Sequence, residues 1–306
     1  MTFDRKLMNL SSPKGKVDVI LDTDAYNEID DQFAIGYMLK KPERLNVVGI
    51  CAAPFTNEKS TGPADGMEKS YDEILKLLSL MGMEDMKDKV YKGSERYMTD
   101  EQTPVESPAA DFMASLANNY SPENPLYIVA IGAITNVSSA ILKNPNMIEN
   151  CVIVWLGGHG THCPMGAGEF NMWQDIPGAR VLFGCGIPLV QLPCGGVVEA
   201  FATTGPELTY WLAGKNALCD YLVENTVNEA NKYAQGKPWS RPIWDVCAVA
   251  WLLNDGWQFM REKLIPAPIP TYEAHYVLDD TRPLIKYIPK INRDRLFEDL
   301  FETLAK

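Results

Sequence analysis

VDVILDTDAYNEIDDQFAIGYML, residues 17–39, begins with a mostly apolar run that ends in the acidic residues Asp22 and Asp24. An apolar run without regular alternation predicts a strand that is covered on both faces, as in a parallel sheet. Asp30 and Asp31 then open a segment in which the apolar residues follow helical spacing. The stretch therefore predicts a buried strand, an acidic turn and a helix in succession.

The same alternation continues along the chain. Strand-like apolar runs occur at 17–22, 45–52, 126–132, 151–158 and 187–193. Segments with a helical pattern lie between them, at 30–41, 64–82, 107–120 and 133–144. Strands that alternate with helices predict an α/β fold with a mostly parallel central sheet flanked by helices and right-handed crossovers.

The C-terminal third of the chain has a different pattern. Residues 205–260 are predicted to be mostly helical, with Gly-Pro, Lys-Pro and Arg-Pro pairs as breaks. A small strand pair is predicted around 272–278 and 284–288, followed by a C-terminal helix over 293–305. The whole pattern is Rossmann-like, with a short addition at its end.

Length and composition narrow the class of protein. The 306 residues are enough for one large α/β domain, and we predict a single domain over 1–306, with 1–16 as a loosely ordered N-terminal extension. No apolar stretch approaches twenty residues, and the N-terminus lacks the apolar region of a secretory signal. A net charge of −12 disfavours nucleic acid and anionic membranes as partners. Seven scattered cysteines indicate reduced thiols and a cytoplasmic protein.

The acidic turn carries five carboxylates within ten residues, because Glu28 adds to the four aspartates. Ligands of open parallel sheets bind beyond the carboxyl ends of the strands, which is where this turn lies. Capping of the following helix accounts for one or two acids at most. Carboxylates this close repel each other unless some are protonated or a cation is present, and oxygen ligands suit a hard divalent ion. An EF-hand is excluded, because its loop needs a glycine at the sixth position and lies between helices.

A second class of protein also has Asp-x-Asp after its first strand. Phosphatases of the haloacid dehalogenase type use the first aspartate, here Asp22, as nucleophile with magnesium. They usually continue with Gly-Thr or Gly-Val, whereas this chain continues with Ala25-Tyr26-Asn27. The later pair Asp279-Asp280 fits a turn in LDDTRP better than a metal site.

Four segments, in order, resemble the motifs of one enzyme family: DTDAYNEIDD (22–31), IVAIGAITNVSSA (128–140), GEFNMWQDIPGA (168–179) and WDVCAVA (244–250). They are similar to the Asp-x-Asp-Pro-Gly-x-Asp-Asp, Gly-Gly-Leu-Thr-Asn, Glu-Phe-Asn and His-Asp-Pro motifs of the inosine–uridine-preferring nucleoside hydrolase superfamily. The first segment is two residues longer than the family pattern and lacks its Pro-Gly. The resemblance covers nearly the whole chain and implies the nucleoside hydrolase fold.

The resemblance also implies roles for individual residues. Asp24 matches the acid that binds calcium and accepts a proton from water, and Asp22 matches a strand-end acid behind it. The remaining calcium ligands match Asp31, Asp245 and the backbone carbonyl of Ile131. The residues that hold the ribose hydroxyls match Asp30, Asn57, Glu169 and Asn171.

The residues that serve the leaving base are less well defined. Trp244 replaces the histidine that one branch of the family has before the last calcium ligand, and an indole ring stacks on a purine but cannot supply a proton. The alternative is a core tryptophan at a helix start. His159 and His162 lie in a glycine-rich loop and are either proton donors or solvated loop residues. Tyr26 and Asn27 either contact substrate or form a turn.

These residue types suit one reaction. Cleavage of an N-glycosidic bond develops positive charge on the sugar, which nearby carboxylates stabilise. We therefore predict a calcium-dependent N-ribohydrolase that converts a nucleoside or related riboside to ribose and a free base, with purines preferred, and that forms a homo-oligomer. Two alternatives remain open: a non-catalytic riboside or sugar binder on the same scaffold, and the phosphatase.

Overall fold

The computed structural model describes all 306 residues of the chain. The strands are β1 (Val17–Thr23), β2 (Leu45–Ala52), β3 (Val90–Lys92), β4 (Leu126–Ala130), β5 (Cys151–Leu156), β6 (Leu189–Leu192), β7 (Ala202–Thr203), β8 (Arg241–Pro242), β9 (Met260–Pro266), β10 (Ile269–Pro270), β11 (Tyr276–Val277) and β12 (Leu284–Ile291). The helices are α1 (Phe3–Asn9), α2 (Asp30–Leu39), α3 (Pro63–Leu80), α4 (Pro108–Leu116), α5 (Thr135–Lys143), α6 (Met147–Asn150), α7 (Phe170–Gln174), α8 (Ile176–Gly184), α9 (Gly205–Leu212), α10 (Ala217–Ala234), α11 (Val246–Trp251) and α12 (Arg293–Leu304). None of these helices combines the length and the apolar character that a membrane crossing requires.

The central sheet has eight strands in the order β3-β2-β1-β4-β5-β6-β12-β9. Every neighbouring pair is parallel except β12 and β9, which are antiparallel. The first strands of the chain are connected through helices, as crossovers between parallel strands require. The predicted α/β fold with a mostly parallel, helix-flanked sheet is confirmed.

Apolar residues on the two faces of β1 pack into two separate cores. Val19 and Leu21 belong to the larger core on one side of the sheet, whereas Ile20 belongs to the core on the other side. Successive side chains of a strand point to opposite faces, so the middle of a strand that is covered on both faces is apolar at successive positions. This is why the apolar runs of the sequence are continuous.

The C-terminal strands pair differently from the prediction. A small antiparallel pair is present, but it joins Ile269–Pro270 to Tyr276–Val277. Leu284–Ile291, which we expected in that pair, instead enters the central sheet between β6 and β9. The long-range partners of this strand leave no local signal in the sequence, so pattern alone paired it with its nearest neighbour.

The N-terminal extension also differs from the prediction. Residues 1–16 were expected to be loosely ordered, but α1 forms there with Thr2 as its N-cap. Leu10 is fully buried, and the side chains of Lys6 and Asn9 donate hydrogen bonds to the carbonyl oxygens of Gly186 (2.7 Å) and Pro122 (3.0 Å). One buried leucine and these long-range bonds hold a helix whose polar sequence gave little indication of packing.

Candidate active site

A cavity of about 430 Å³ opens at the carboxyl ends of the parallel strands. This position is the one at which open α/β sheets bind their ligands. Ten of the residues predicted for the site line the cavity: Asp24, Asp30, Asp31, Asn57, Ile131, His159, Glu169, Asn171, Trp244 and Asp245. The fold therefore gathers residues from both ends of the chain at one edge of the sheet.

Strand ends position the floor of the cavity. Asp24 directly follows β1, and Ile131 directly follows the neighbouring strand β4. Gly132 allows the close approach of these two segments, because a Cβ at this position would lie 3.2 Å from both the Cγ and the backbone nitrogen of Asp24. Backbone contact at this point holds Asp24 against the end of β4.

Helix α2 begins at Asp30, but the acids at its start are not caps. The N-cap residue is Ile29, and no side chain accepts a hydrogen bond from the first turn. Asp30 and Asp31 lie inside the first turn and are both buried, where the helix dipole favours negative charge. Capping therefore does not explain why these two aspartates are present.

Asp30, Asp31 and Asp245 form a buried carboxylate cluster. One oxygen of each lies within 4.8 Å of the other two, a spacing that suits a shared cation. Burial, together with the neighbouring carboxylates, raises the pKa of Asp30 to about 8 and that of Asp31 to about 6, and raises the pKa of Asp245 well above its usual range. Asp245 immediately precedes α11, which brings this distant part of the chain to the acidic turn.

Asp24 lies beside the carboxylate cluster. It is 1% exposed, and its Oδ2 atom has no hydrogen-bond partner in the protein. Burial raises its pKa well above the usual range, and the charges of Asp31 and Asp30 raise it further. A buried carboxylate oxygen without a partner, in a residue that lines a cavity, is suited to bind a cation or to accept a proton.

Asp22 is placed behind the cavity and does not line it. Its side chain is fully buried, and its Oδ1 atom accepts a hydrogen bond from Asn136 Nδ2 at 2.8 Å. Burial raises the pKa of Asp22 to about 7. Because this carboxylate is fully buried and does not line the cavity, the geometry disfavours Asp22 as a nucleophile towards a phosphate ester.

Glu169 and Asn171 form a polar wall at the start of α7. Glu169 is the N-cap and accepts hydrogen bonds from the backbone N–H groups of Gly158 (2.8 Å), Asn171 (2.9 Å) and Met172 (3.2 Å). Asn171 Nδ2 donates to the carbonyl oxygens of Ile131 (3.1 Å) and Leu156 (3.0 Å), at the ends of two parallel strands. These bonds lock both side chains in place before any ligand binds.

Asn57 and Asn27 meet on the opposite side of the cavity. Asn57 Nδ2 donates to Asn27 Oδ1 at 2.7 Å, and the backbone N–H of Lys59 donates to Asn57 Oδ1 at 2.8 Å. Asn27 is 6% exposed and lines the cavity, whereas Tyr26 is 42% exposed and does not. Of Tyr26 and Asn27, which both lie in the acidic turn, only Asn27 therefore faces the site.

Trp244 lines the cavity with one side packed against the larger core. The guanidinium of Arg241 lies 5.4 Å from the centroid of the indole ring and forms an ion pair with Glu28 at 3.0 Å. The Nε1 atom of Trp244 is buried and has no hydrogen-bond partner. The indole is thus held by the core and by Arg241 together.

The two loop histidines occupy different places. His159 lines the cavity, and its Nδ1 atom accepts a hydrogen bond from the backbone N–H of Gly195 at 3.0 Å. This bond places the proton of the neutral ring on Nε2, and burial lowers the pKa of His159 below its usual value. His162 does not line the cavity and lies against Gly160 and Gly196.

Several lining residues were not singled out from the sequence. Glu58 follows Asn57, and Cys194, Gly195 and Glu199 follow the end of β6. The sequence did contain a signal for Cys194, because this residue directly follows the strand-like run IPLVQLP, and ligands of parallel sheets bind beyond the strand ends. Met165 and Phe170 complete the apolar part of the wall.

Comparisons with known proteins agree with this geometry. The family model described as inosine-uridine preferring nucleoside hydrolase matches residues 19–297. The chain is 26% identical to the pyrimidine-specific ribonucleoside hydrolase RihA of Citrobacter koseri, over 90% of this chain and 95% of that protein. It is 29% identical to the non-specific ribonucleoside hydrolase RihC of Salmonella agona, over 77% of this chain and 78% of that protein.

A solved structure shows the same fold. The purine-preferring ribonucleoside hydrolase from Gardnerella vaginalis superposes with a TM-score of 0.74 at 20% identity, over 94% of this chain and 98% of that one. At this level of identity the likeness concerns the fold alone. The match of the family model over most of the sequence places the chain among the nucleosidases: it belongs to the inosine–uridine preferring nucleoside hydrolase family.

Proposed function

We propose that the protein is a calcium-dependent N-ribohydrolase that cleaves a nucleoside or related riboside to ribose and a free base. The observation that carries this proposal is the arrangement of Asp24 beside the Asp30, Asp31 and Asp245 cluster, in a cavity of about 430 Å³. Hydrolysis of ribonucleosides follows from the family, whereas the calcium ion, the residue roles and the base preference are our inference. A homo-oligomeric state and a cytoplasmic location stay predictions.

The residues present fit a hard divalent cation. The groups that would hold the ion all offer oxygen, and Asp24 Oδ2 has no partner within the protein. Asp24, Asp31 and Asp245 would hold the ion, together with the Ile131 carbonyl, which keeps a second lone pair beside its bond from Asn171. When bound, calcium supplies positive charge that offsets the carboxylate repulsion and lowers the pKa of a neighbouring water.

Asp24 is the residue best placed to act as general base. Asp24 lines the cavity and its Oδ2 atom has no partner in the protein, so the carboxylate can accept a proton from the water that attacks the anomeric carbon of the ribose. The Gly132 contact fixes the backbone at this point, which keeps the carboxylate oriented. Thr23 Oγ1 donates to Asp31 Oδ1 and so orients the neighbouring carboxylate.

The ribose hydroxyls have acceptors and donors on two sides of the cavity. Glu169 and Asn171 lie on one wall and Asn57 on the other, with Asp30 at the helix start. Bonds to backbone groups hold Glu169 and Asn171 rigid, so little conformational entropy is lost when the sugar binds. The carboxylates of Asp30 and Glu169 also stabilise the positive charge that develops on the ribosyl group as the bond breaks.

The base would leave towards Trp244. An indole face gains more from stacking on a purine than on a pyrimidine, because the overlap is larger. His159 adds a hydrogen-bond donor through Nε2, since its Nδ1 atom is occupied by the Gly195 N–H. The similar proteins are named for different base preferences, so this preference rests on Trp244 alone.

The test is a panel of ribosides assayed for release of ribose, with and without a calcium chelator. We expect inosine, guanosine, uridine and cytidine to be cleaved to different extents, with activity lost on chelation and restored by calcium. Asp24→Asn should lose activity, whereas Asp85→Asn, the same change at an exposed position outside the cavity, should not. Riboside binding without turnover at saturating calcium would favour the binding protein, and release of inorganic phosphate from a phosphate ester would favour the phosphatase.

A further inference from the structure

The cavity contains more carboxylates than the calcium and the ribose require. Glu28, Glu58 and Glu199 line it in addition to the residues assigned above. No lysine or arginine lines it, and of the three only Glu28 is offset by a cation, through its ion pair with Arg241 at 3.0 Å. Glu58 and Glu199 are exposed at its mouth, and neither forms an ion pair. The approach to the site is therefore acidic.

The surroundings of Trp244 already accommodate a cation. The Arg241 guanidinium lies 5.4 Å from the centroid of the indole and is held there by Glu28 at 3.0 Å. Tryptophan binds cations through its ring face more strongly than other aromatic residues do. An aromatic ring beside carboxylates is an arrangement that recognises positively charged heterocycles.

Neither of the residues assigned to the leaving base is suited to protonate it, and His159 offers only the hydrogen bond of a neutral ring through Nε2. The Nδ1 atom of His159 accepts the Gly195 N–H, and burial further disfavours the protonated ring by lowering its pKa. The indole of Trp244 has no acidic proton to give. A neutral purine or pyrimidine needs a proton or a strong hydrogen bond as it leaves.

A base with a permanent positive charge has no such need. Water adds through its oxygen to the anomeric carbon, the C–N bond breaks, and the electron pair of that bond neutralises the cationic ring. The proton lost by the water passes to Asp24 and then to solvent, so each turnover yields ribose, a neutral base and one proton. This step uses the residues present and requires no acid.

On the basis of the proposed function, we propose that the cavity prefers ribosides whose base carries a permanent positive charge. N7-methylated purine ribosides and pyridinium ribosides belong to this class. The negative lining attracts the cation, the face of Trp244 stacks on it, and Asp24 supplies the base for the water. Neutral nucleosides remain substrates, but their bases leave more slowly because no acid protonates them.

The experiment compares inosine with 7-methylinosine and guanosine with 7-methylguanosine. Each kcat/KM is divided by the rate of uncatalysed hydrolysis of the same compound, because methylation itself weakens the bond. We expect the normalised kcat/KM to be about tenfold higher for the methylated member, and to fall with ionic strength because salt screens the attraction. Equal normalised values for both members would overturn the inference while leaving the hydrolase function intact.

Charge-neutral variants test the recognition itself. Glu58→Gln combined with Glu199→Gln should lower the ratio of cationic to neutral kcat/KM by about three- to tenfold, as expected for two exposed carboxylates. Glu43→Gln is the control, because this exposed residue precedes β2 at the opposite edge of the sheet. An unchanged ratio in the double variant would overturn the inference. Absence of ribose release from every riboside would overturn the hydrolase function as well.

Discussion

Gly132 provides a test of how tightly the site is built. A Cβ added there would lie 3.0 Å from the Cβ of Ala53 and 3.2 Å from both the Cγ and the backbone nitrogen of Asp24. We expect Gly132→Ala to lower kcat/KM by about 10- to 100-fold, because displacement of a catalytic group by about 1 Å has effects of this size. The altered residue itself needs no contact with substrate.

The size of the expected loss in Gly132→Ala follows from the contacts of the added methyl group. Non-bonded carbon atoms normally lie about 3.5–4.0 Å apart, so the neighbours of the new methyl group must move by roughly 0.3–1 Å. The backbone nitrogen of Asp24 and the Cβ of Ala53 cannot rotate away, so the backbone after β1 must shift. Overpacking of this kind costs about 1–3 kcal/mol of unfolding free energy.

The assay is release of ribose from inosine, with urea unfolding to measure stability. Gly184→Ala is the matched control, because Gly184 ends α8 and no atom lies within 4 Å of a Cβ built there. It should keep wild-type kcat/KM and should not lose stability, since alanine favours a helix over glycine by up to about 1 kcal/mol. Wild-type kcat/KM in Gly132→Ala, or equal losses in the two variants, would refute the reasoning.

Four further expectations concern the cavity. Asp24→Asn keeps the shape of the side chain but cannot accept a proton, so kcat should fall by about 10²- to 10⁴-fold, and a near wild-type kcat would show that another group is the base. Trp244→Ala should cost purine ribosides about 1–3 kcal/mol in kcat/KM and pyrimidine ribosides less, whereas equal losses would mean that the indole is structural. Calcium at a hundred times its Kd should raise the unfolding free energy by about 2.7 kcal/mol, and magnesium by less; no effect of calcium would count against the ion site. Burial lowers the pKa of His159 in the folded chain, so the unfolded chain binds this proton more readily. The stability that the neutral ring contributes is therefore complete above about pH 6.5 and is lost as pH falls. His159→Gln should thus lose less unfolding free energy than wild type between about pH 7 and pH 5, as measured by urea titrations.

The acidic turn could be predicted because its signals are local. A mostly apolar run specifies the strand before Asp24, and helical spacing specifies the helix that begins at Asp30. Parallel strands carry their carboxyl ends to one edge, which is where Ile131 meets Asp24, but the choice of Ile131 itself came from the resemblance. The arrival of Asp245 at the same place came from the resemblance, because nothing in the local pattern around α11 specifies its partner.

Contacts between distant segments could not be predicted. The pairing of Glu28 with Arg241 joins two turns through side chains that would also be stable in solvent. The N–H of Gly195 meets His159 because the loops after β5 and β6 lie side by side, and this contact fixes the tautomer that the sequence left open. Glu199 enters the cavity from the same loop, without any pattern that separates it from other surface acids.

The position of β12 has a consequence for folding during synthesis. This strand lies between β6 and β9 although it follows both in the chain. Until Leu284–Ile291 is made, the four buried residues of β6 have an open edge that can pair with another chain. Synthesis proceeds at about 5–20 residues per second, so the open edge persists for several seconds after β6 emerges. The nascent chain is therefore most prone to aggregate late in translation, when nearly all residues of the cavity have already been made.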